Sequence, residues 1–182
     1  MPEEGLVQFC APTLAGMKTG SLFACPFSDA EQLRDFLRVC NRSLGGKGVC
    51  VLSLRYENGR ALIYVYRPRL LVRDLQNEEA RRLLAERGYD AARPACCLAQ
   101  LVRRFHGAGA FPHEVGLFLG YPPEDVRGFI EGRQTCKCAG CWKVYGDAQA
   151  ATRLFRKYKK CTDVYRAQFS QGKSIERLAV AG

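Results

Sequence analysis

Residues 49–66 read VCVLSLRYENGRALIYVY, and this segment carries the strongest structural signal in the chain. Two runs rich in β-branched and aromatic residues, 49–56 and 61–66, lie on either side of Asn58-Gly59. An Asn-Gly pair supplies the positive φ angles that a two-residue hairpin turn requires. We therefore predict a β-hairpin over residues 49–67.

Further elements are predicted on both sides of this hairpin. Before it, residues 21–25 have the composition of a short strand, and Ser28 with Glu31 forms a capping box that starts a helix. After it, Asn77 and Pro94 mark the starts of two helices. The sheet is therefore expected to be surrounded by helices.

The longest predicted helix covers residues 147–171 and begins at Asp147. Its apolar residues recur with the helical period over about six turns, and they are Ala151, Leu154, Phe155, Tyr158, Cys161, Tyr165 and Phe169. The order of all these elements predicts a single α+β domain over residues 1–182, in which helices cover a small sheet of about four strands.

The N-terminal segment gives two more expectations. Residues 6–10 suit a short helix that stops at Ala11-Pro12, because the residue before a proline is disfavoured in helical backbone. The segment Gly16-Met17-Lys18-Thr19-Gly20 places a lysine among glycines. A phosphate-binding loop needs glycine directly before the lysine, and Met17 occupies that position, so we exclude this motif.

The chain is basic, with a formal net charge of +10. Residues 133–182 carry 11 basic and 3 acidic side chains, whereas residues 1–132 carry 17 and 15. A basic C-terminal third attracts anions such as nucleic acid, acidic proteins or phosphorylated ligands, although a soluble enzyme can also be basic. The sequence shows neither a secretory signal nor an apolar run long enough to cross a bilayer. We expect a cytoplasmic protein with no membrane partner.

Three of the ten cysteines lie within six residues, in the segment Cys136-Lys137-Cys138-Ala139-Gly140-Cys141-Trp142. In a reducing compartment, clustered cysteines more often bind metal or perform redox chemistry than form disulfides. Zinc, iron or an iron–sulfur cluster would need a fourth ligand, for which Cys161, Cys10 and His113 are candidates. Lys137 and Lys143 would favour thiolates by lowering the thiol pKa values. A redox thiol pair and inert packing are the alternatives.

His113 lies at a predicted helix start, beside Glu114. A histidine there can ligate a metal or haem iron, shuttle a proton, or bond to the backbone at the helix end. The chain contains no Gly-x-Ser-x-Gly, no His-Glu-x-x-His and no dinucleotide fingerprint. Catalytic residues are therefore unknown from the sequence.

A basic face lies opposite the apolar stripe of the longest predicted helix, and it consists of Arg153, Arg156, Lys157 and Lys160. Basic groups interleaved with aromatic rings can bind single-stranded nucleic acid by charge and stacking. Here the aromatic residues fall on the apolar stripe, which is equally the pattern of a solvated amphipathic helix. An acidic redox protein, such as a flavodoxin, would also be drawn to this face.

Four stretches of the chain resemble domain-of-unknown-function family 3793, found mostly in anaerobic Gram-positive bacteria: CAPTLAG (10–16), FPHEVGLFLGYPP (111–123), WKVYG (142–146) and KCT (160–162). The resemblance implies a single-domain protein of about this length and brings no assigned activity. Relatives encoded near flavodoxins imply a link to electron transfer or iron handling. Because the family often lacks a cysteine where Cys141 stands, the resemblance favours Cys10, Cys138, Cys161 and Cys136 as the thiol candidates.

The leading functional expectation is a thiol-based metal-binding or redox accessory protein of anaerobic electron transfer or metal handling. Its site would use Cys138, Cys136 and Cys161, with Cys10, Cys141 and His113 as additional ligands. Two alternatives accompany it: a nucleic-acid-binding module that uses the basic face, and an enzyme with an unrecognised pocket.

Overall fold

A computed structural model describes residues 2–107 and 109–182 of the protein. In chain order, the helices and strands are α1 (Pro2–Leu14), β1 (Gly20–Pro26), α2 (Ala30–Leu44), β2 (Cys50–Glu57), β3 (Arg60–Tyr66), α3 (Pro68–Leu75), α4 (Glu78–Glu86), α5 (Pro94–His106), α6 (Val115–Phe118), α7 (Pro123–Ile130), β4 (Cys138–Ala139), β5 (Lys143–Val144), α8 (Ala148–Ser170) and α9 (Ile175–Leu178). The predicted α+β class is confirmed.

The main sheet is antiparallel, with the strand order β1-β3-β2. The predicted hairpin forms from β2 and β3, and its turn has positive φ at Asn58 (50°) and Gly59 (71°). Both angles are those of the turn that an Asn-Gly pair favours. The hairpin prediction is therefore confirmed, with an irregularity of register between Ser53 and Arg55.

The sheet separates two hydrophobic cores. On β3, alternate residues point to opposite faces: Ile63 and Val65 pack with α1 and α2, whereas Tyr64 packs with the layer that runs from α3 to α7. All three side chains are fully buried, and the Tyr64 hydroxyl donates a hydrogen bond to the Phe118 carbonyl at 2.6 Å. The central strand is thus covered by helices on both faces.

The strand content differs in arrangement from the predicted sheet of about four strands. The main sheet has three strands, and β4 and β5 form a separate hairpin of two-residue strands. Within the segment 142–146, Lys143 and Val144 pair with β4, and a buried carboxylate, described below, holds the residues on either side of them. The single-domain organisation stays a prediction.

Helix α1 continues through Pro12, so the predicted stop at Ala11-Pro12 is wrong. Pro12 removes only one helical hydrogen bond, the one to the Gln8 carbonyl, and Gln8 is exposed to solvent. Packing of the following turn outweighs this loss, since Ala11 and Leu14 are fully buried. Sequence propensity at a single residue is overridden by tertiary contact.

The predicted helix starts agree with the structure at Asn77 and Asp147, whose side chains accept backbone hydrogen bonds from α4 and α8. Helix α8 also confirms the long C-terminal helix expected over residues 147–171. At α2 the capping residue is Asp29 rather than Ser28, because the Asp29 carboxylate accepts from the first-turn N–H groups. Among the described helices, none combines the length and apolar character that a membrane span requires.

Candidate functional site

The position of Lys18 follows from the way α1 ends. Gly16 adopts left-handed backbone with φ of 74°, which glycine tolerates without a Cβ clash. The Gly16 N–H then donates to Thr13 O at 3.1 Å, and the Met17 N–H donates to Pro12 O at 2.8 Å. A third such bond, from the Lys18 N–H to Pro12 O at 3.1 Å, fixes the backbone from which the lysine side chain projects.

The Lys18 ammonium is withdrawn from water and has no carboxylate partner among the described residues. Its Nζ lies 5.2 Å from the centroid of the Tyr121 ring, a cation–π contact. Burial lowers the pKa of Lys18, and the nearby thiols of Cys10 and Cys141 act in the opposite direction. A half-buried ammonium without a counter-charge is costly, because burial disfavours the charged form.

Lys18 borders the largest of three adjoining cavities, which we call the Lys18 groove. Its volume is about 540 Å³, and it is lined by Gln8, Phe9, Pro12, Lys18, Ser21, Leu22, Leu119, Tyr121, Cys141, Phe155, Tyr158, Lys159, Thr162, Asp163 and Arg166. The groove therefore lies between α1, β1 and α8, with the loop residues Tyr121 and Cys141 at its side.

Two smaller cavities share walls with the Lys18 groove. The aromatic pocket, about 240 Å³, is lined by Phe111, His113, Val115, Gly116, Leu119, Tyr121, Asp125, Val126, Phe129, Cys141, Trp142 and Lys143. The polar pocket, about 320 Å³, is lined by Met17, Lys18, Thr19, Arg73, Asp74, Asn77, Ala80, Leu117, Gly120, Tyr121, Pro122, Pro123, Leu154 and Tyr158. Tyr121 belongs to all three cavities and is thus the central residue of the site.

The carboxylates that line the Lys18 groove and the polar pocket are engaged with other cations. In the Lys18 groove, Asp163 pairs with Lys159 at 2.7 Å. In the polar pocket, Asp74 pairs with Arg73 at 2.9 Å and also accepts a hydrogen bond from Thr19. The groove is left with an excess of positive charge from Lys18 and Arg166, which favours an anion.

Tyrosine hydroxyls close the sides of the Lys18 groove. The Tyr121 hydroxyl donates to the Cys141 carbonyl at 3.3 Å, and the Tyr158 hydroxyl to the Met17 carbonyl at 3.5 Å. Burial raises the pKa of each tyrosine to about 12, so both phenols are neutral near pH 7. They act as fixed walls and not as charged groups.

Asp125 holds the segment 142–146 in place beside the groove. Its buried carboxylate accepts hydrogen bonds from Trp142 Nε1 at 2.8 Å, from the Tyr145 N–H at 2.7 Å and from the Gly146 N–H at 2.8 Å. The indole of Trp142 stacks on Tyr121 with centroids 4.5 Å apart, and Phe155 packs edge-on at 4.6 Å. The aromatic wall is therefore rigidly positioned.

Sequence reasoning missed both Asp125 and Lys18 as site residues. Asp125 reads as an ordinary first-turn helix acid, and nothing in its spacing to Trp142 shows that they meet. Lys18 was considered only within a phosphate-binding motif that the chain does not contain. The WKVYG stretch and the Tyr121 region both carry the family resemblance, but the sequence does not indicate that they line one site.

The predicted thiol residues occupy different environments, and all ten cysteines are free. Cys10 belongs to α1 and is fully buried, and burial raises its pKa to about 12. Cys161 is partly buried on α8, and burial raises its pKa. Cys136 and Cys138 are partly buried at β4, while Cys141 is exposed at the wall of the groove.

The structure brings Cys10 and Cys141 near Lys18 but does not gather the six predicted ligands into one cluster. In the part of the chain that the structure describes, no group of three or more His, Cys, Asp or Glu side chains is arranged to hold a metal ion. Burial raises the Cys141 pKa although Lys18 lowers it. Lys137 and Lys143 are directed elsewhere, to the Gly146 carbonyl and to the Phe129 ring.

His113 lies exposed at the mouth of the aromatic pocket, with its ring centroid 5.0 Å from that of Phe129 and 5.4 Å from that of Phe111. Its neighbour Glu114 is buried, accepts a hydrogen bond from Tyr89 at 2.8 Å and pairs with Arg104 at 3.3 Å. Glu114 thus has a structural partnership, whereas His113 faces the pocket.

The basic face of α8 is exposed as its amphipathic pattern predicted. Arg153, Arg156, Lys157 and Lys160 are all exposed, and none of them pairs with a carboxylate of residues 2–107 or 109–182. The neighbouring Lys159 differs, because it pairs with Asp163. The opposite side of α8 packs on α1 and encloses the Lys18 groove.

Comparisons with known proteins give a family but no activity. No curated protein and no solved structure matches this chain. The model of one family, described as a protein of unknown function (DUF3793), matches residues 6–179, which is nearly the whole chain. The chain therefore belongs to the DUF3793 family.

Proposed function

We propose that the protein binds a small anionic molecule in the Lys18 groove, with Lys18 as its counter-ion. The observation that carries the proposal is the Lys18 ammonium, withdrawn from water beside a cavity and without a carboxylate partner among the described residues. A bound carboxylate or phosphate supplies the missing charge and forms a charge-assisted hydrogen bond.

The size and charge of the groove support this proposal. Ligand pockets typically measure roughly 300–1,000 Å³, and the groove measures about 540 Å³. Arg166 adds a second cation, whereas Asp163 is already paired with Lys159. An anion entering the groove also benefits from the net charge of +10, which raises the local concentration of anions.

Thermal unfolding against a panel of carboxylates and phosphate monoesters tests the proposal. We expect at least one panel member to raise the melting temperature of the wild-type protein and to have no effect on Lys18→Met. Lys47→Met is the matched control, because Lys47 is also half-buried but lies outside all three cavities. Equal shifts for wild type and Lys18→Met, or no shift with any anion, would contradict the proposal.

Binding of a polyanionic partner by the basic face is the second candidate function. It is favoured by the four exposed and unpaired cations described above. A short single-stranded RNA and an acidic flavodoxin are the two probes, compared at low and high salt. Arg156→Glu with Lys160→Glu should weaken binding of the true partner about tenfold or more and flatten its salt dependence. Unchanged binding by this double variant would contradict the assignment.

A thiol-based metal or redox role stays a prediction, and so does a cytoplasmic location. Elemental analysis and an absorption spectrum of protein purified without oxygen, beside Cys138→Ser, test the thiol role. Near-stoichiometric zinc or iron that is lost in Cys138→Ser would establish it. Metal-free protein with unreactive thiols would remove it and leave the Lys18 groove as the functional site.

A further inference from the structure

We infer that the ligand is an aromatic anion whose acid group pairs with Lys18 and whose ring occupies the adjoining aromatic pocket. This inference rests on the proposed function, because it names the chemical class of the molecule held in the Lys18 groove. It adds a second binding element that Lys18 alone does not require.

The aromatic pocket has the size and lining that a ring needs. An apolar cavity of about 150 Å³ is large enough for benzene, and this pocket measures about 240 Å³. Phe111 and Phe129 border it with exposed fractions of 50% and 40%. A ring that covers these exposed side chains removes apolar area from water, and this burial favours binding.

The two cavities lie side by side with common walls. Leu119, Tyr121 and Cys141 line both the aromatic pocket and the Lys18 groove. Tyr121 contacts the Lys18 ammonium with its ring face and stacks on Trp142. A ligand that reaches across this boundary therefore has its charge in the Lys18 groove and its ring in the aromatic pocket.

The Trp142 wall of the pocket is held in place by contacts within the protein. Trp142 is held by its hydrogen bond to Asp125, by the stack on Tyr121 and by the edge of Phe155. Fixed aromatic walls reduce the entropy that binding would otherwise cost. Preorganisation of this kind is expected of a binding site and is not needed for a surface hairpin.

The charges around the pocket favour an anionic ligand over a cationic one. Asp125 lines the pocket, but its carboxylate is already bonded to three N–H donors. Lys143 stands at the rim with its Nζ 5.7 Å from the Phe129 ring centroid. A ring bearing a carboxylate, sulfonate or phosphate thus meets cations, whereas a ring bearing an amine meets no free carboxylate among the lining residues.

Trp142 is the only tryptophan of the chain, so its fluorescence reports directly on this pocket. The probes are 2-naphthoate, which carries ring and acid, acetate, which carries the acid alone, and 2-naphthalenemethanol, which carries the ring alone. We expect 2-naphthoate to change Trp142 fluorescence and to bind about tenfold or more tightly than either of the others. Absence of 2-naphthoate binding, or binding no tighter than acetate, would overturn the inference.

Variants separate this inference from the proposed function. Phe129→Ala and Phe111→Ala should each weaken 2-naphthoate binding several-fold, and Lys18→Met should weaken it about tenfold. Val72→Ala is the control, because Val72 is 41% exposed and lies outside all three cavities. If acetate and 2-naphthoate bind equally and only Lys18→Met weakens their binding, the anion site is supported and the ring site is contradicted. If only the phenylalanine variants weaken 2-naphthoate binding, the proposed function, in which Lys18 is the counter-ion, is contradicted instead.

Discussion

Arg67 and Lys18 are two cations withdrawn from water at the same end of α1, and they differ in their hydrogen-bond partners. The guanidinium of Arg67 donates to four backbone carbonyls, those of Thr13, Leu14, Lys47 and Val180, at 2.6 to 3.2 Å. The ammonium of Lys18 makes a cation–π contact with the Tyr121 ring, the thiols of Cys10 and Cys141 act on its pKa, and no carboxylate among the described residues pairs with it. Burial lowers the pKa of both groups.

The difference distinguishes a structural cation from a binding cation. Every contact of Arg67 joins separate parts of the chain: the end of α1, the loop before β2 and the C-terminal residues. Such a residue stabilises the fold by satisfying buried carbonyls. Lys18 satisfies no buried acceptor among the described residues and borders a cavity, so its placement costs stability and suits a ligand.

The largest effect is expected for Arg67→Met. Removing the guanidinium breaks four charge-assisted hydrogen bonds, which should lower the free energy of unfolding by about 3–5 kcal/mol. The carbonyls of Thr13, Leu14 and Lys47 keep a backbone N–H donor, whereas the Val180 carbonyl has no other donor among the described residues. Chemical denaturation of the purified variant measures this loss. Arg67→Lys should recover only part of it, because a single ammonium cannot reproduce the planar fork of five donors.

Arg69→Met serves as the control for Arg67, because Arg69 is an exposed arginine two residues along the chain. Its stability should stay within about 0.5 kcal/mol of wild type. Equal losses at Arg67 and Arg69 would contradict the structural role assigned to Arg67.

The next effect concerns Asp125→Asn. An asparagine can keep its Oδ1 on the Tyr145 and Gly146 N–H groups, but its N–H₂ group then faces the Trp142 Nε1–H donor, so the free energy of unfolding should fall by about 2–3 kcal/mol. The emission of Trp142 should shift to longer wavelength as its Nε1 partner is lost. Glu131→Gln, an exposed acid just beyond α7, should change neither quantity appreciably.

A smaller effect of opposite sign is expected for Lys18→Met. Because the pKa of Lys18 is lowered in the folded state, the unfolded chain binds the proton more tightly. The charged amine therefore lowers the free energy of unfolding at neutral pH. Replacing the ammonium with an apolar side chain of similar length should therefore raise the free energy of unfolding by about 1 kcal/mol.

The pH dependence of this gain has a definite sign. The gain in the free energy of unfolding should be largest below the folded-state pKa of Lys18 and should shrink as the pH rises from there. It should vanish above the ordinary lysine pKa of about 10.4. Denaturation of Lys18→Met and wild type across this range measures it. A variant that is less stable than wild type at pH 7 would show that Lys18 is a structural cation like Arg67.

Cys141→Ser should have the smallest effect. The thiol forms part of the groove wall, and its raised pKa keeps it protonated near pH 7. We therefore expect anion binding to change by less than about threefold, as measured by the same thermal-shift panel. Loss of binding in Cys141→Ser would shift the site's chemistry from the lysine to the thiol.

The parts of the fold that could be predicted from the sequence are those set by local contacts. Asn58-Gly59 fixes its turn through its own backbone preferences, and Asn77 and Asp147 cap helices through bonds to the next few residues. The end of α1 was mispredicted because its continuation through Pro12 depends on burial against distant parts of the chain.

The candidate site escaped prediction because its contacts are all non-local. Lys18 meets Tyr121 and Cys141 across more than a hundred residues, and Asp125 on α7 reaches Trp142 in the turn between β4 and β5. Neither pairing leaves a spacing that can be read along the chain. The cysteine cluster was conspicuous in sequence because its members are close together there, and that proximity did not assemble a larger ligand set among the described residues.

The most direct test of the account is the pKa of the Lys18 amine, measured by NMR on protein labelled at the lysine ε-carbons and assigned with Lys18→Met. The account predicts that Lys18 has the lowest pKa of the eight lysines, and that a bound aromatic anion raises it. If Lys18 titrates together with the exposed lysines, both with and without 2-naphthoate, two claims are contradicted: that its ammonium is withdrawn from water, and that it binds an anion.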